Sequence, residues 1–167
     1  MPDLTTNRTS IIKDSDCDGI QFVVDTGGNE QLVLTELKST FDTGKICDAY
    51  NQIIHSFLKL HSLFSQCEDY SLNQLPVSFI VGCKCFKDKA QESSVYSKIN
   101  TAMTLKQNNF EAKLLGKLLN NKSISVKMSE FHDIKRAHFH QDLKAKQITM
   151  RLCQTQKFTD VSITVNL

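Results

Sequence analysis

No apolar run in this chain approaches the roughly 18 residues that a membrane-crossing helix needs, so no transmembrane helix is expected. The opening residues, MPDLTTNRTS, contain no hydrophobic segment of the signal-peptide kind. Net charge is also scarce: 20 Lys and Arg stand against 18 Asp and Glu, leaving +2. A balance of that size gives no global attraction to a polyanion, so any nucleic-acid surface has to be a local patch. No internal repeat, low-complexity tract or linker divides the chain, and its 167 residues read as a single domain over 1–167. That length is enough to bury a core without disulfide or metal staples. The hydrophobic and charged fractions, 40% and 23%, are those of an ordinary globular protein. Six cysteines in a chain that opens without a signal-peptide-like segment read as reduced thiols, which puts the expected location inside the cell, in the cytoplasm.

What the chain does have is a stretch around which the rest can be organised: DGIQFVVDTGGNEQLVLTELK, residues 18–38. IQFVV and QLVLTEL carry the β-branched and apolar residues of strands. DTGGN between them supplies a tight turn, with Gly27 and Gly28 free to adopt positive φ. A hairpin symmetric about Gly27 pairs Val24 with Glu30, Phe22 with Leu32, Ile20 with Leu34 and Asp18 with Glu36. Alternation places Lys38 on the same side as Glu36. Directly opposed residues have Cβ atoms roughly 4.5–5.5 Å apart, and like charges there are destabilising. A cation relieves that repulsion, and a hard oxygen set of this kind suits Mg²⁺ or Mn²⁺. Asp25 is the competing aspartate, but it lies in the turn, on the order of 23 Å from Glu36 along the strand at about 3.3 Å per residue.

Asp–Gly, hydrophobic run, turn, hydrophobic run and Glu-x-Lys together resemble the core of the PD-(D/E)xK nucleases, the restriction-endonuclease-like superfamily. The resemblance matches Asp18 to the family aspartate, with Cys17 where proline is frequent, and Glu36 and Lys38 to the Glu-x-Lys. It implies Asp18, Glu36 and Lys38 as catalytic residues. Asp18, Glu36 and the Leu37 backbone carbonyl would be ligands of Mg²⁺ or Mn²⁺, and Lys45 or Gln52 auxiliary residues from the helix that follows. It covers residues 9–86, and 87–167 is an unassigned C-terminal elaboration. A helix normally precedes the family's first strand, and only eight residues stand before TSIIK (9–13). The expectation is therefore a longer parent chain, a substituting segment, a homodimer or a partner subunit. The implied function is metal-dependent hydrolysis of DNA phosphodiester bonds, of a restriction or DNA-processing type. The alternative is a catalytically silent member of the fold that binds nucleic acid or assembles with other subunits. The residues do not separate DNA from RNA.

The remaining chain fits an α/β fold with a mixed central sheet and flanking helices. TSIIK reads as a short strand. Ile46, Ala49, Tyr50, Ile53, Phe57, Leu60 and Phe64 recur at three- and four-residue steps, predicting an amphipathic helix over 44–66 whose start can face a phosphate. VSFIVGCKCF (77–86) is an unbroken apolar run suited to a central strand covered on both faces. A helix is expected from about 92 and another over 108–120, then a strand at SISVKM (123–128). The alternation of KQITMRLCQTQ and FTDVSITVNL around Lys157 predicts a C-terminal hairpin. Candidate nucleic-acid contacts are Ser39 and Thr40 beside the Glu-x-Lys, Lys84 and Lys87 at the exit of the central strand, and Lys135, Arg136, Lys144 and Lys146. The last four lie in a segment with Phe131 and Phe139 interleaved.

Two metal readings compete with the hairpin. Asp14, Asp16 and Asp18 with Gly19 begin like a calcium loop, but the twelfth position is Asp25 rather than Glu and the flanking helices are missing. Cys83 and Cys85, with His132 or with His138 and His140, lack the close ligand pairs of a zinc site.

Overall fold

The structure, a computed structural model, describes residues 16–24, 27–105 and 109–155. The expected strand at 9–13, Asp14, Asp25 and the limb 158–167 of the expected C-terminal hairpin lie outside the described residues. Strand β1 (Gly19–Val24) turns back antiparallel into β2 (Glu30–Lys38), and helix α1 (Thr43–Phe64) leads to β3 (Val77–Lys84). Helices α2 (Lys89–Thr104) and α3 (Phe110–Asn121) follow, then β4 (Ser123–Lys127). A 3₁₀ turn and the short helices α4 (His132–Arg136) and α5 (Gln141–Ala145) precede β5 (Gln147–Thr155). The five strands form one mixed sheet in the order β1-β2-β3-β5-β4, with β2, β3 and β5 parallel and the two outer strands antiparallel to their neighbours. This is an α/β fold.

Register in the hairpin is the one that alternation and the turn require: Ile20 opposes Leu34, Phe22 opposes Leu32 and Val24 opposes Glu30. Gly28 closes the turn at φ 82°, a backbone region that suits glycine. β3 is central, and every residue from Val77 to Cys83 is buried, as its continuous apolar run demands. One face of the sheet, with Leu32, Leu34, Phe79, Val81, Met150 and Leu152, packs on Ile46, Ile53 and Phe57 of α1 and on Leu114 and Leu118 of α3. β1 extends beyond this cover, leaving Ile20, Phe22 and Val24 exposed.

The described part of the C-terminal region shows pairings that the sequence did not offer. β5 lies inside the sheet, with Ser78–Lys84 of β3 along one edge and β4 along the other. Its antiparallel neighbour is therefore a strand that precedes it in the chain. Lys146 is 7% exposed, and its ammonium donates to the carbonyls of Leu72 (2.6 Å) and Leu75 (2.5 Å). It clasps the loop that enters β3, which corrects its assignment as a nucleic-acid contact; burial also pulls its pKa down. Phe131 is likewise buried, edge-on to Phe110, instead of facing solvent. All six cysteines are free thiols. Among the described residues no helix is long and apolar enough to cross a membrane.

Phe79 is fully buried against Phe57 at a ring separation of 5.7 Å, whereas Phe22 is 55% exposed. Phe79→Ala is expected to lower unfolding free energy by about 3–5 kcal/mol and Phe22→Ala by less than about 1 kcal/mol, read from urea midpoints. Equal losses would contradict the core assignment. His61 stacks on Phe57 and its Nδ1 lies 3.1 Å from the Tyr70 hydroxyl. Burial holds its pKa below the usual histidine value. As pH falls, the unfolded chain then takes up the proton first, so stability is full above about pH 6.5 and declines below it. Thermal melts between pH 8 and 5 should show this decline, flattened in His61→Gln; identical pH profiles would refute it.

Candidate functional site

The site is assembled where the hairpin opens. In β2 the side chains of Leu32 and Leu34 point into the core, and alternation carries Glu36 and Lys38 onto that same face, toward α1. The chain entering β1 is tied down on α1 just upstream of Asp18. Asp16 pairs with Lys59 at 2.6 Å, and the Cys17 N–H donates to the buried Ser56 hydroxyl at 2.8 Å. These anchors fix Asp18 beside the end of β2.

A closed set of contacts results. The Asp18 main-chain N–H donates to Glu36 Oε2 (3.1 Å), and the Leu37 N–H donates to Asp18 Oδ2 (2.7 Å). Lys38 Nζ lies 2.6 Å from Glu36 Oε1 and 2.7 Å from Gln52 Oε1 of α1. Glu36 is only 4% exposed, yet both of its oxygens have partners. Asp18, in contrast, is exposed. Cys17 beside it is half-buried, and burial raises its thiol pKa.

Of the residues expected at the site, Asp18, Glu36, Leu37, Lys38 and Gln52 meet directly. Lys45 and Ser39 line an open cleft of about 720 Å³ with Lys38 and Gln52. The start of α1, which the sequence offered to a phosphate, already has a carboxylate: Asp42 caps it, accepting the Lys45 N–H at 3.0 Å. Thr40, Lys84 and Lys87 gather in a neighbouring cleft. Lys135 lines a groove with Glu130, His132 and Asp133 that shares Asn51 and His55 with the candidate cleft, and Arg136 is exposed on the same short helix. Lys144 follows in α5, half-buried.

The cleft also holds Asp48 and Asn51, which the sequence reading left out, and His55. With Gln52 they recur at steps of one, three and four residues along α1, a polar stripe flanking the apolar one. That stripe was the available signal. Among the described residues no group of three or more His, Cys, Asp or Glu side chains is placed to hold a metal ion. The oxygen donors at the hairpin end are thus the Asp18 and Glu36 carboxylates together with main-chain carbonyls.

The side chains of Lys38 and Glu36 are 20% and 5% exposed, so breaking the pair from one side leaves a desolvated charge. Lys38→Met is expected to cost about 3–5 kcal/mol of stability. The double variant Glu36→Gln/Lys38→Met should recover at least about 1 kcal/mol of that loss, a coupling typical of contacting residues. Urea unfolding of the four proteins measures it, and simple additivity of the single losses would show that the pair is not coupled.

Compared with protein-family models, curated proteins and solved structures, the chain matches none.

Proposed function

We propose that this protein is a metal-dependent nuclease that hydrolyses DNA phosphodiester bonds, with Asp18, Glu36 and Lys38 as its catalytic set. The observation that carries the reading is their convergence at the open end of one hairpin, with Glu36 buried between Lys38 and the Asp18 main chain. The hairpin, the helix behind it and the parallel strand β3 are compatible with a core of the PD-(D/E)xK kind.

The donor chemistry fits a small hard cation, since two carboxylates and a strand carbonyl are oxygen ligands of the type Mg²⁺ and Mn²⁺ accept. Asp18, Glu36 and the Leu37 carbonyl would hold it. When bound, such an ion polarises the scissile phosphate and stabilises charge on the leaving oxygen.

The protein's own groups do the positioning. A lysine ammonium has three donors. In Lys38 two are directed at Glu36 and Gln52, which leaves the third for an attacking water or a phosphate oxygen. Gln52 keeps Nζ from swinging out along its flexible stem. Lys45 and Ser39, in the same cleft, supply a positive charge and a hydroxyl to the substrate backbone, and such contacts give sequence-independent affinity. The free thiols accord with work inside the cell, in the cytoplasm.

A second reading has a specific observation in its favour. Glu36 is already satisfied internally by Lys38 and the Asp18 N–H, so the set is stable without a cation, as a silent nucleic-acid-binding or assembly subunit of this fold requires.

Incubating plasmid and single-stranded DNA with Mg²⁺ or Mn²⁺ separates the readings. The nuclease predicts metal-dependent nicking that Glu36→Gln abolishes and that Lys38→Ala lowers by at least about 100-fold, the scale of a lost positioned acid–base or electrostatic group. Full activity in Lys38→Ala would sink it. Wild-type protein that never nicks, yet melts at a higher temperature with Mn²⁺ only when Glu36 is present, selects the silent member.

A further inference from the structure

Beside the candidate catalytic cleft lies a second one, of about 550 Å³, built by the exits of β2 and β3. Lys84 ends β3, and Phe86 and Lys87 follow in the short connection to α2. Together with Thr40 and Phe41 from the far side, they line the cleft. The two clefts adjoin, because Ser39 lines the first and Thr40, the next residue, lines the second. Lys38 pairs in register with Cys83, one residue before Lys84, so the two strand ends stand side by side.

Its walls are held in place. Gln91 of α2 donates from Nε2 to the Phe41 carbonyl (3.0 Å), and its Oε1 accepts the Lys87 N–H (2.6 Å). One side chain thus bolts the two loops together. The Cys85 N–H is fixed on the Thr155 carbonyl at 2.9 Å. The Phe86 ring leans on buried Phe41, with centroids 4.4 Å apart and planes tilted by 56°, and Tyr96 stands behind it at 6.4 Å. Phe86 is thereby a supported ring, half-buried, between two lysines on the cleft surface. Asp88, the nearest acid in sequence, is occupied as the cap of α2, with its Oδ1 accepting the Gln91 N–H at 2.7 Å.

An aromatic face flanked by cations is the chemistry that takes a nucleobase and its phosphates. Bases inside a duplex have both faces covered by their neighbours, so a ring in a cleft reaches only an unpaired one. A space of this size holds a nucleotide-sized group. We propose that this cleft binds a single-stranded tract of DNA, with a base stacked on Phe86 and the adjoining phosphates on Lys84 and Lys87. This rests on the nuclease reading above and gives that site its substrate class: DNA with an unpaired strand beside the cut.

Fluorescence anisotropy in EDTA, with labelled oligothymidylate against a hairpin duplex, tests it without any cleavage. The single strand should bind at least about tenfold tighter than the duplex. Phe86→Ala should weaken single-strand binding by about fivefold to a hundredfold, the range of one lost base stack, while leaving duplex affinity unchanged. Lys84→Ala and Lys87→Ala should each reduce the salt slope by about 0.7, the single-strand value per phosphate contact. Should Phe86→Ala not fold, Phe86→Leu retains an apolar contact with Phe41 and removes the stacking face, with the same expected loss. Equal or tighter duplex binding, or single-strand affinity indifferent to Phe86, overturns the proposal. Single-strand binding that depends on Phe86 in a protein that never nicks DNA upholds this cleft and removes only the nuclease reading. Nicking without dependence on Phe86 does the reverse.

Discussion

Taking a carboxylate out of water costs several kcal/mol unless its charge and lone pairs are matched. Glu36 sits 4% exposed on the inward face of β2, and much of the local architecture supplies its partners. The hairpin brings the Asp18 N–H to one oxygen, and β2 itself brings Lys38 to the other. Helix α1 then fixes Lys38 through Gln52, and holds the entry to β1 through Ser56 and Lys59. Strand, turn and helix thus converge on one charge. An aliphatic residue at this position would continue the pattern of Leu32 and Leu34 and need none of them.

Local pattern made this part of the molecule readable from sequence. The hairpin obeys a period of two with a glycine turn, so its pairing followed residue by residue, and α1 and α3 obey a period of 3.6. The period of two placed Asp18, Glu36 and Lys38 near one another, whereas Gln52 entered only through the family resemblance. The role of the group remains a proposal, because spacing shows proximity and not chemistry.

The second half was legible only as separate elements. β5 pairs with β3, some seventy residues upstream, and with β4 across two short helices, and no local periodicity encodes such a choice. The segment around 129–146 looked basic and aromatic because its residues were read by type. In the fold Phe131, Ile134, Leu143 and Lys146 turn inward while Lys135 and Arg136 stay exposed. For Lys146 a cue existed: Ile148, Met150 and Leu152 form the buried face of β5, and stepping back two residues lands on this lysine. Loop carbonyls at Leu72 and Leu75, invisible in a one-dimensional pattern, are what make a cation acceptable there.

β1 is an outer strand, bonded to β2 along one side among the described strands and carrying exposed Ile20, Phe22 and Val24. Outer elements with few buried contacts occupy the low end of the local opening scale. When the Asp16–Lys59 and Cys17–Ser56 anchors open together with β1, Asp18 leaves, and with it goes the N–H that serves Glu36. Assembly of the site and closure of this strand are therefore one equilibrium. Any ligand that bridges Asp18 and Glu36 also latches β1 shut, and its apparent affinity is reduced by whatever fraction of molecules stands open beforehand.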